Sequence, residues 1–258
     1  MNTVINFIKS EIDTLKKDIT LPEYILWWVL RILQAGVLIR LIINDPSNGN
    51  ILLLSVNLAG TFLFPLLRIL FAPIKIVKKL SFRGQSWLNV MIFFGSFLAQ
   101  GLNWNHEISS WDKVLHLLAG GFIVFVGNEF INVFIREGDR ISPLFRTFTA
   151  VGFSYMAIAI WEVFEFFVDY YWAGSTNQAY NISPERDAWF MSIFGLGAQN
   201  ENQWAVFDTS VDILCAIVGA IPASIALLIY LVKKEKREKA LTVRVEETVE
   251  TEKEEVNV

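Results

Sequence analysis

The chain has 258 residues, of which 53% are hydrophobic, 14% aromatic and only 19% charged, and its mean hydropathy is +0.43. A soluble core of this length does not need so much apolar surface, so the composition argues against a soluble protein and predicts membrane residence. The formal net charge of −4 comes largely from an acidic C-terminal segment, and nothing in the sequence supports a nucleic-acid role.

Residues 1–20 precede the first long apolar segment and have an amphipathic pattern. Their apolar side chains recur at helical intervals, at Val4, Ile8, Ile12 and Leu15. This spacing predicts a cytoplasmic interfacial helix that lies on the inner leaflet of the membrane. A soluble helix that packs on the cytoplasmic loops is the alternative.

Six apolar segments follow along the chain. A helix needs about 20 apolar residues to cross a hydrocarbon layer of roughly 30 Å. The segments that approach this length are 23–43, 51–72, 87–102, 111–135, 144–172 and 207–232. We therefore predict an all-α integral membrane protein, with a six-transmembrane-helix bundle in residues 21–232. We expect residues 233–258 to form a charged, disordered cytoplasmic tail.

Basic residues predict the orientation of these spans. Only Arg186 falls in the loops 44–50, 103–110 and 173–206. The segments 1–20, 74–86, 136–146 and 233–239 on the opposite side carry fifteen: Lys9, Lys16, Lys17, Lys75, Lys78, Lys79, Arg83, Arg136, Arg140, Arg146, Lys233, Lys234, Lys236, Arg237 and Lys239. This asymmetry places both termini in the cytoplasm. Arg31 lies inside the first span, where we interpret it as a snorkelling side chain. Pairing with a carboxylate or a lipid phosphate is the alternative.

The stretch "WEVFEFFVDYYW" brings three acids into the outer end of the fifth span. Glu162, Glu165 and Asp169 follow one another at i, i+3 and i+7, so they share one face of a helix with 3.6 residues per turn. Carboxylates near lipid are costly unless they face a polar interior or bind a cation. The pattern therefore predicts one wall of a polar site, although we expect Asp169 to be interfacial.

Two further spans enter the membrane from the same side with similar pairs. The fourth begins with "WDKVLH", which puts Asp112 and His116 on one face at i, i+4. The sixth begins with "FDTSVD", which stacks Asp208 over Asp212 at the same spacing. We expect three helices to place these groups at one depth near the extracytoplasmic boundary. We interpret Lys113 as a snorkelling anchor rather than a catalytic base.

The chemistry of these side chains leaves two main interpretations. The first is a divalent-metal site with six candidate ligands: Asp112, His116, Glu162, Glu165, Asp208 and Asp212. Oxygen ligands favour Mg²⁺, Mn²⁺ or Ca²⁺, and the imidazole leaves Zn²⁺ or Fe²⁺ open. The second is a cluster in which neighbouring acids keep some carboxyl groups protonated. Each acid taken singly also fits a helix cap or a group that faces interfacial water.

The same segments resemble the bacterial inner-membrane family that includes YjdF. The matching motifs, within about residues 105–225, are "WDKVLHLLAGGF", "WEVFEFFVD", "FGLGAQNENQWAVFDTSVD" and "IVGA". The chain is also similar, more distantly, to VanZ-like membrane proteins, which usually carry Gln and Asn at the positions of Glu165 and Asp212. The resemblance implies a multi-pass protein of the bacterial inner membrane with a shared polar site, and it implies no particular reaction.

Three functions remain open at this point. The first is a metal-dependent hydrolase or transferase that acts on a lipid or envelope precursor, with Glu162 and Asp212 as candidate catalytic carboxylates. The second is a cation- or proton-coupled transporter, and the third is a non-catalytic membrane scaffold. The acids all lie near one surface, which favours a site that opens outward over a path through the membrane.

Overall fold

All regular secondary structure in the described part of the chain is helical. The computed structural model describes residues 2–48, 50–71, 74, 77–108, 110–135, 139–171 and 204–256. Its α-helices are α1 Asn2–Asp18, α2 Leu21–Asn44, α3 Asn50–Gly60, α4 Leu63–Leu70, α5 Arg83–Ile92, α6 Trp104–Glu107, α7 Trp111–Ile131, α8 Pro143–Tyr171 and α9 Trp204–Val256. A 3₁₀ turn covers Val77–Lys79, and a π-helix over Phe93–Gly101 directly continues α5.

Four of the described helices are long and apolar enough to cross a membrane: α2, α7, α8 and the Ala205–Thr242 part of α9. The pair α3 and α4 adds a fifth candidate if it counts as one span, bent by 62°. The predicted third span falls on α5 and the π-helix, whose separate segments are each shorter than a spanning helix. An all-helical membrane fold is thus confirmed, with four or five candidate spans among the described helices, and the count of six stays a prediction.

The bend between α3 and α4 exposes backbone groups that a continuous helix would pair internally. Two buried side chains bond to these groups. Arg31, which is 5% exposed, donates to the carbonyl oxygen and the hydroxyl of Thr61. Gln85 accepts from the Phe64 amide at 2.8 Å and donates to the Gly60 carbonyl at 3.2 Å. A broken helix persists in a membrane only where such partners replace its lost bonds.

The interpretation of Arg31 as a snorkelling side chain is therefore wrong. Its guanidinium lies 4.0 Å from the centroid of the Phe62 ring, and it also packs over Trp27 and Trp28. A snorkelling side chain extends toward water, whereas this one is enclosed by aromatic rings and bonds to a backbone carbonyl. Arg31 thus stabilises the bend between α3 and α4, and this bent pair forms one side of a cavity.

Helices α7, α8 and α9 form the core that carries the predicted site. Glycines allow α7 and α9 to touch: a Cβ atom on Gly120 would collide with the Ala216 carbonyl, and one on Gly219 with the Leu117 carbonyl. Ser154 of α8 donates to the Gly120 carbonyl at 2.9 Å, which joins the third helix to this contact. Small residues at helix crossings allow this close approach in membranes.

Helix α1 packs against the end of the bundle that is predicted to be cytoplasmic. The carboxylate of Glu11 binds the Arg68 guanidinium at 2.5 and 3.0 Å, and Asp18 accepts from the Phe82 amide at 2.8 Å. Three isoleucines on α1 remain exposed: Ile5, Ile8 and Ile12. These contacts fit a helix that packs on cytoplasmic loops, and its interfacial position stays a prediction.

Helix α9 continues without a break through the charged segment for which we expected disorder. This segment is rich in Lys and Glu, which are good helix formers, and its pairs at i, i+4 support the helix. Lys239 lies 2.6 Å from Glu235, and Lys234 lies 3.9 Å from Glu238. The predicted domain boundaries at residues 20 and 232 stay predictions, and most of the predicted 173–206 loop lies outside the described residues.

Candidate metal site and cavity

The structure brings all six predicted ligands to one end of the α7–α8–α9 core. Asp112 lies in the first turn of α7 and His116 one turn later, so both face the same neighbours. The other helices contribute their pairs in the same way, Glu162 and Glu165 from α8, and Asp208 and Asp212 from α9. Asp112 is half-buried, and the other five are at most 7% exposed.

Lys113 joins one half of this cluster. Its ammonium group lies 2.9 Å from Asp112 and 2.8 Å from Asp212, and it also bonds to Asp208. Lys113 is only 4% exposed, so its expected role as a snorkelling anchor is wrong. Because three carboxylates surround it, it compensates buried negative charge where α7 meets α9.

His116 lies between the two halves. Its Nε2 is 3.8 Å from an Asp112 oxygen, and its Nδ1 is 3.5 Å from a Glu162 oxygen. The imidazole is 4% exposed, and its Nδ1 forms no hydrogen bond to the described residues. A buried ring nitrogen without a hydrogen bond, next to a carboxylate, is available as a metal ligand.

Glu165 differs from the acids around Lys113. It is 7% exposed and accepts a hydrogen bond of 2.7 Å from the indole nitrogen of Trp161. It forms no ion pair within the described part of the chain. A neutral indole orients this carboxylate but does not compensate a negative charge, so a buried Glu165 requires a cation or a proton.

Two sets of side chains have the spacing that a metal ion needs. One consists of His116, Glu162 and Glu165, and the other of Asp112, His116 and Asp212. In each set, one ligand atom per residue lies within 4.8 Å of the others. The first set fits a metal better, because Lys113 already contacts both oxygens of Asp212, at 2.8 and 3.0 Å.

A cavity of about 560 Å³ adjoins this cluster, and Asp112, His116 and Glu165 form part of its wall. Its other walls come from the bent α3–α4 pair, the π-helix and the connection that contains α6. Among the described residues, two non-glycine residues have left-handed backbones, Asn103 and Ser110, and they flank α6. The volume is in the range of small-molecule sites, so the carboxylates and the imidazole face a space that a ligand can enter.

Sequence reasoning missed three parts of the site. A Lys near a helix end usually extends toward water, but the position of Lys113 directly after Asp112 indicates an ion pair. The i, i+4 spacing of Trp161 and Glu165 puts both side chains on one helix face and so indicates that they can form a hydrogen bond. The sequence indicates the cavity only weakly, through the two asparagines of "NWNHE" between the third and fourth apolar segments. The side chain of His106, also in that stretch, lies outside the described residues.

Comparison with known proteins places these observations in a family. A family model described as "Predicted membrane protein (DUF2238)" matches residues 25–233, which include the whole cluster and the cavity. Comparisons with curated proteins and with solved structures give no match. The YjdF-like proteins, which the sequence motifs resemble, are part of the same family. The chain therefore belongs to the DUF2238 family of predicted membrane proteins.

Proposed function

We propose that the chain is a six-span protein of the bacterial inner membrane that binds a divalent cation near its extracytoplasmic surface. We propose further that it is a metal-dependent hydrolase or transferase that acts on a lipid or envelope precursor. One observation carries the proposal: His116, Glu162 and Glu165 approach within 4.8 Å of one another beside a cavity large enough for a substrate.

The count of six spans rests on treating two interrupted segments as spans. The α3–α4 pair is one of them. The other is α5 with its π-helix, which together cover residues 83–101, a length of 19 residues at the lower end of what a membrane requires. With α2, α7, α8 and α9 these segments make six, and both termini then lie on the basic, cytoplasmic side.

The metal would be held by His116, Glu162 and Glu165, with Asp112 beside the imidazole. A set dominated by oxygen suits Mg²⁺, Mn²⁺ or Ca²⁺, and the imidazole also suits Zn²⁺. When bound, such an ion supplies Lewis-acid chemistry and a more acidic water. Trp161 orients Glu165 through its 2.7 Å hydrogen bond, and this holds one oxygen donor in place.

The sequence predicts Glu162 and Asp212 as catalytic carboxylates, and the geometry favours Glu162. Both oxygens of Asp212 lie within 3.0 Å of the Lys113 ammonium, so a proton transfer at Asp212 would disrupt that ion pair. Glu162 lies next to His116, which is on the cavity wall. A general base must be within reach of the group that it deprotonates, and Glu162 would offer one oxygen to the metal and use the other as the base.

Metal content and thermal stability of the purified protein test the proposal. We expect His116→Ala and Glu162→Gln each to remove the metal from a folded protein. Binding to the native state stabilises it by about 2.7 kcal/mol at a metal concentration of 100 times Kd. Wild type should therefore melt at a higher temperature with the correct cation, and both variants should lose this increment.

Asp169→Asn is the matched control, because Asp169 is a half-buried acid on the same helix outside both ligand sets. It should keep the metal and the increment in melting temperature. If the cluster is only structural, Glu162→Gln relieves repulsion and melts at the same or a higher temperature than wild type. A wild type that contains no metal and does not respond to Mg²⁺, Mn²⁺, Ca²⁺ or Zn²⁺ would contradict the metal proposal.

Cation- or proton-coupled transport is a second candidate, favoured by polar groups buried deeper in the bundle. Gln34, Asn89 and Ser96 are at most 1% exposed, and each has a side-chain atom without a hydrogen bond to the described residues. Such groups are costly in a membrane unless they line a polar path. Cation- or proton-driven uptake into proteoliposomes, lost in Glu165→Gln, would support this function over an enzyme.

A further inference from the structure

The cavity beside the acidic cluster is amphipathic along its length. Its polar wall lies at the end of the bundle where α2 ends and α7 begins, and it includes Asn48, Gln100, Asn103 and Asn105. Its apolar wall lies along the C-terminal half of α5 and the middle of α7, and it includes Leu88, Met91, Ile92 and Ile123. The two walls together match a molecule that has a polar head and a hydrocarbon chain.

Two amide groups on the polar wall need a hydrogen-bond donor. The Oε1 of Gln100 and the Oδ1 of Asn105 are buried and accept no hydrogen bond from the described residues. A buried acceptor without a partner destabilises the protein, so a ligand that supplies a hydroxyl or amide hydrogen gains by binding here. The wide turn of the π-helix puts Gln100 on the wall, and α6 contributes Asn105.

The charges on the wall restrict the head group further. Among the described residues, the wall contains no Lys or Arg, and its titratable groups are Asp112, His116 and Glu165. The ammonium of Lys113 is held among three carboxylates instead. Without a basic side chain, the polar wall has no side chain of its own that pairs with an anionic head group.

We propose that this cavity binds a single-chain amphiphile whose head group is uncharged and rich in hydroxyl or amide groups. The chain lies along Met91, Ile92 and Ile123, and the head donates hydrogen bonds to Gln100 and Asn105. This inference deepens the proposed function and rests on it for the role of the molecule as a substrate. It narrows the substrate class from lipid or envelope precursors in general to glycosyl- or polyol-headed ones.

Photo-crosslinking in phosphatidylcholine nanodiscs tests the proposal. The probe is a dodecyl glucoside with a diazirine in the alkyl chain, and the comparison probe is the dodecyl phosphate with the same chain. EDTA is present with both, so a bound cation cannot recruit the phosphate. We expect saturable labelling by the glucoside on peptides that contain Met91 and Ile123, and at least about tenfold weaker labelling by the phosphate, which corresponds to 1.4 kcal/mol.

Two glycines provide matched variants. A Cβ atom at Gly95 or at Gly152 would meet no atom within 4 Å, but only Gly95 lies on the cavity wall. Gly95→Leu should abolish the saturable labelling, and Gly152→Leu should leave it unchanged. If Gly95→Leu lowers the melting temperature, Ala157→Leu is the second filling variant. Gln100→Leu should weaken labelling by the glucoside roughly tenfold, because it removes a buried acceptor.

Three results would overturn the inference. They are equal labelling by the two probes, labelling spread over the lipid-facing helices without saturation, and saturable labelling that persists in a folded cavity-filling variant. Metal analysis of the same samples before EDTA treatment separates this inference from the proposed function. Saturable glucoside labelling of a protein that contains no metal would support the amphiphile site and contradict the metal-dependent enzyme. A protein that contains metal but is not labelled would support metal binding and contradict the amphiphile site.

Discussion

Lys113 shows how one side chain shapes the chemistry of its neighbours. It contacts Asp112, Asp208 and Asp212, and it is almost completely buried. These contacts join the three aspartates in one ion cluster, and the other set, His116, Glu162 and Glu165, lies beside it. The six ligands that the sequence predicts thus form two adjoining groups with different contacts.

Lys113→Met should lower the free energy of unfolding by about 3–5 kcal/mol, because removing one partner leaves buried charges without compensation. Adding Asp208→Asn and Asp212→Asn to that variant should recover much of the loss. Denaturant unfolding in detergent micelles measures both. Lys234→Met is the control: Lys234 is exposed, lies 3.9 Å from Glu238, and should contribute no more than about 1 kcal/mol. A stable Lys113→Met single variant would contradict this role.

At the scale of helices, two departures from the ideal α-helix create the cavity. The bend between α3 and α4 persists because Arg31 and Gln85 bond to its backbone groups. The π-helix widens the end of α5 and brings Gln100 to the wall. Irregular backbone inside a membrane marks positions that line cavities, and here both irregular segments line the same one.

The contact between α7 and α9 sets the distance between Lys113 and its aspartates. Gly219→Ala should therefore destabilise the protein by about 1–3 kcal/mol, because the new methyl group collides with the Leu117 carbonyl. Gly152→Ala is the matched control, since a Cβ there meets nothing within 4 Å and alanine favours a helix by up to about 1 kcal/mol. Thermal unfolding in micelles compares the two. Equal melting temperatures would show that the helices are not held by this contact.

For the whole molecule, the distribution of basic residues implies the direction in which the site opens. The tail begins with a basic stretch at residues 233–239, and the end of the bundle with the acidic cluster is predicted to be extracytoplasmic. Substrates drawn from the outer leaflet or the periplasm would then reach the cavity without crossing the membrane.

Reporter fusions test this orientation directly. A fusion at the C-terminus should be active as a cytoplasmic reporter. Fusions at Ser47, in the turn between α2 and α3, and near Asn177, outside the described residues, should be active as extracytoplasmic reporters. The physical reason is the positive-inside bias, with fifteen basic residues on one side and Arg186 on the other. The opposite pattern would reverse the orientation and turn the proposed outward-facing site toward the cytoplasm.

Local patterns account for membrane residence, the helical class and the faces that the ligands share. High hydropathy over about 20 residues predicts a membrane span. The helical period of 3.6 residues predicts that Asp112 shares a helix face with His116, and Glu162 with Glu165. These properties depend on neighbours along the chain, so a single sequence contains them. The same local patterns do not mark the bend at Thr61 or the π-helix, because both depend on contacts with other helices.

Tertiary packing decides the partners of the buried cations Lys113 and Arg31. Lys113 meets Asp208 and Asp212 across separations of 95 and 99 residues, and Arg31 meets Thr61 across 30. The rotation and spacing of helices determine such pairs, and these depend on close approaches such as that of Gly120 to Ala216. An apolar helix can turn any of its faces toward lipid or protein with similar hydropathy. The packing of the bundle therefore decides whether Lys113 is exposed or buried. It also decides whether Asn103 and Asn105 face solvent or line a cavity.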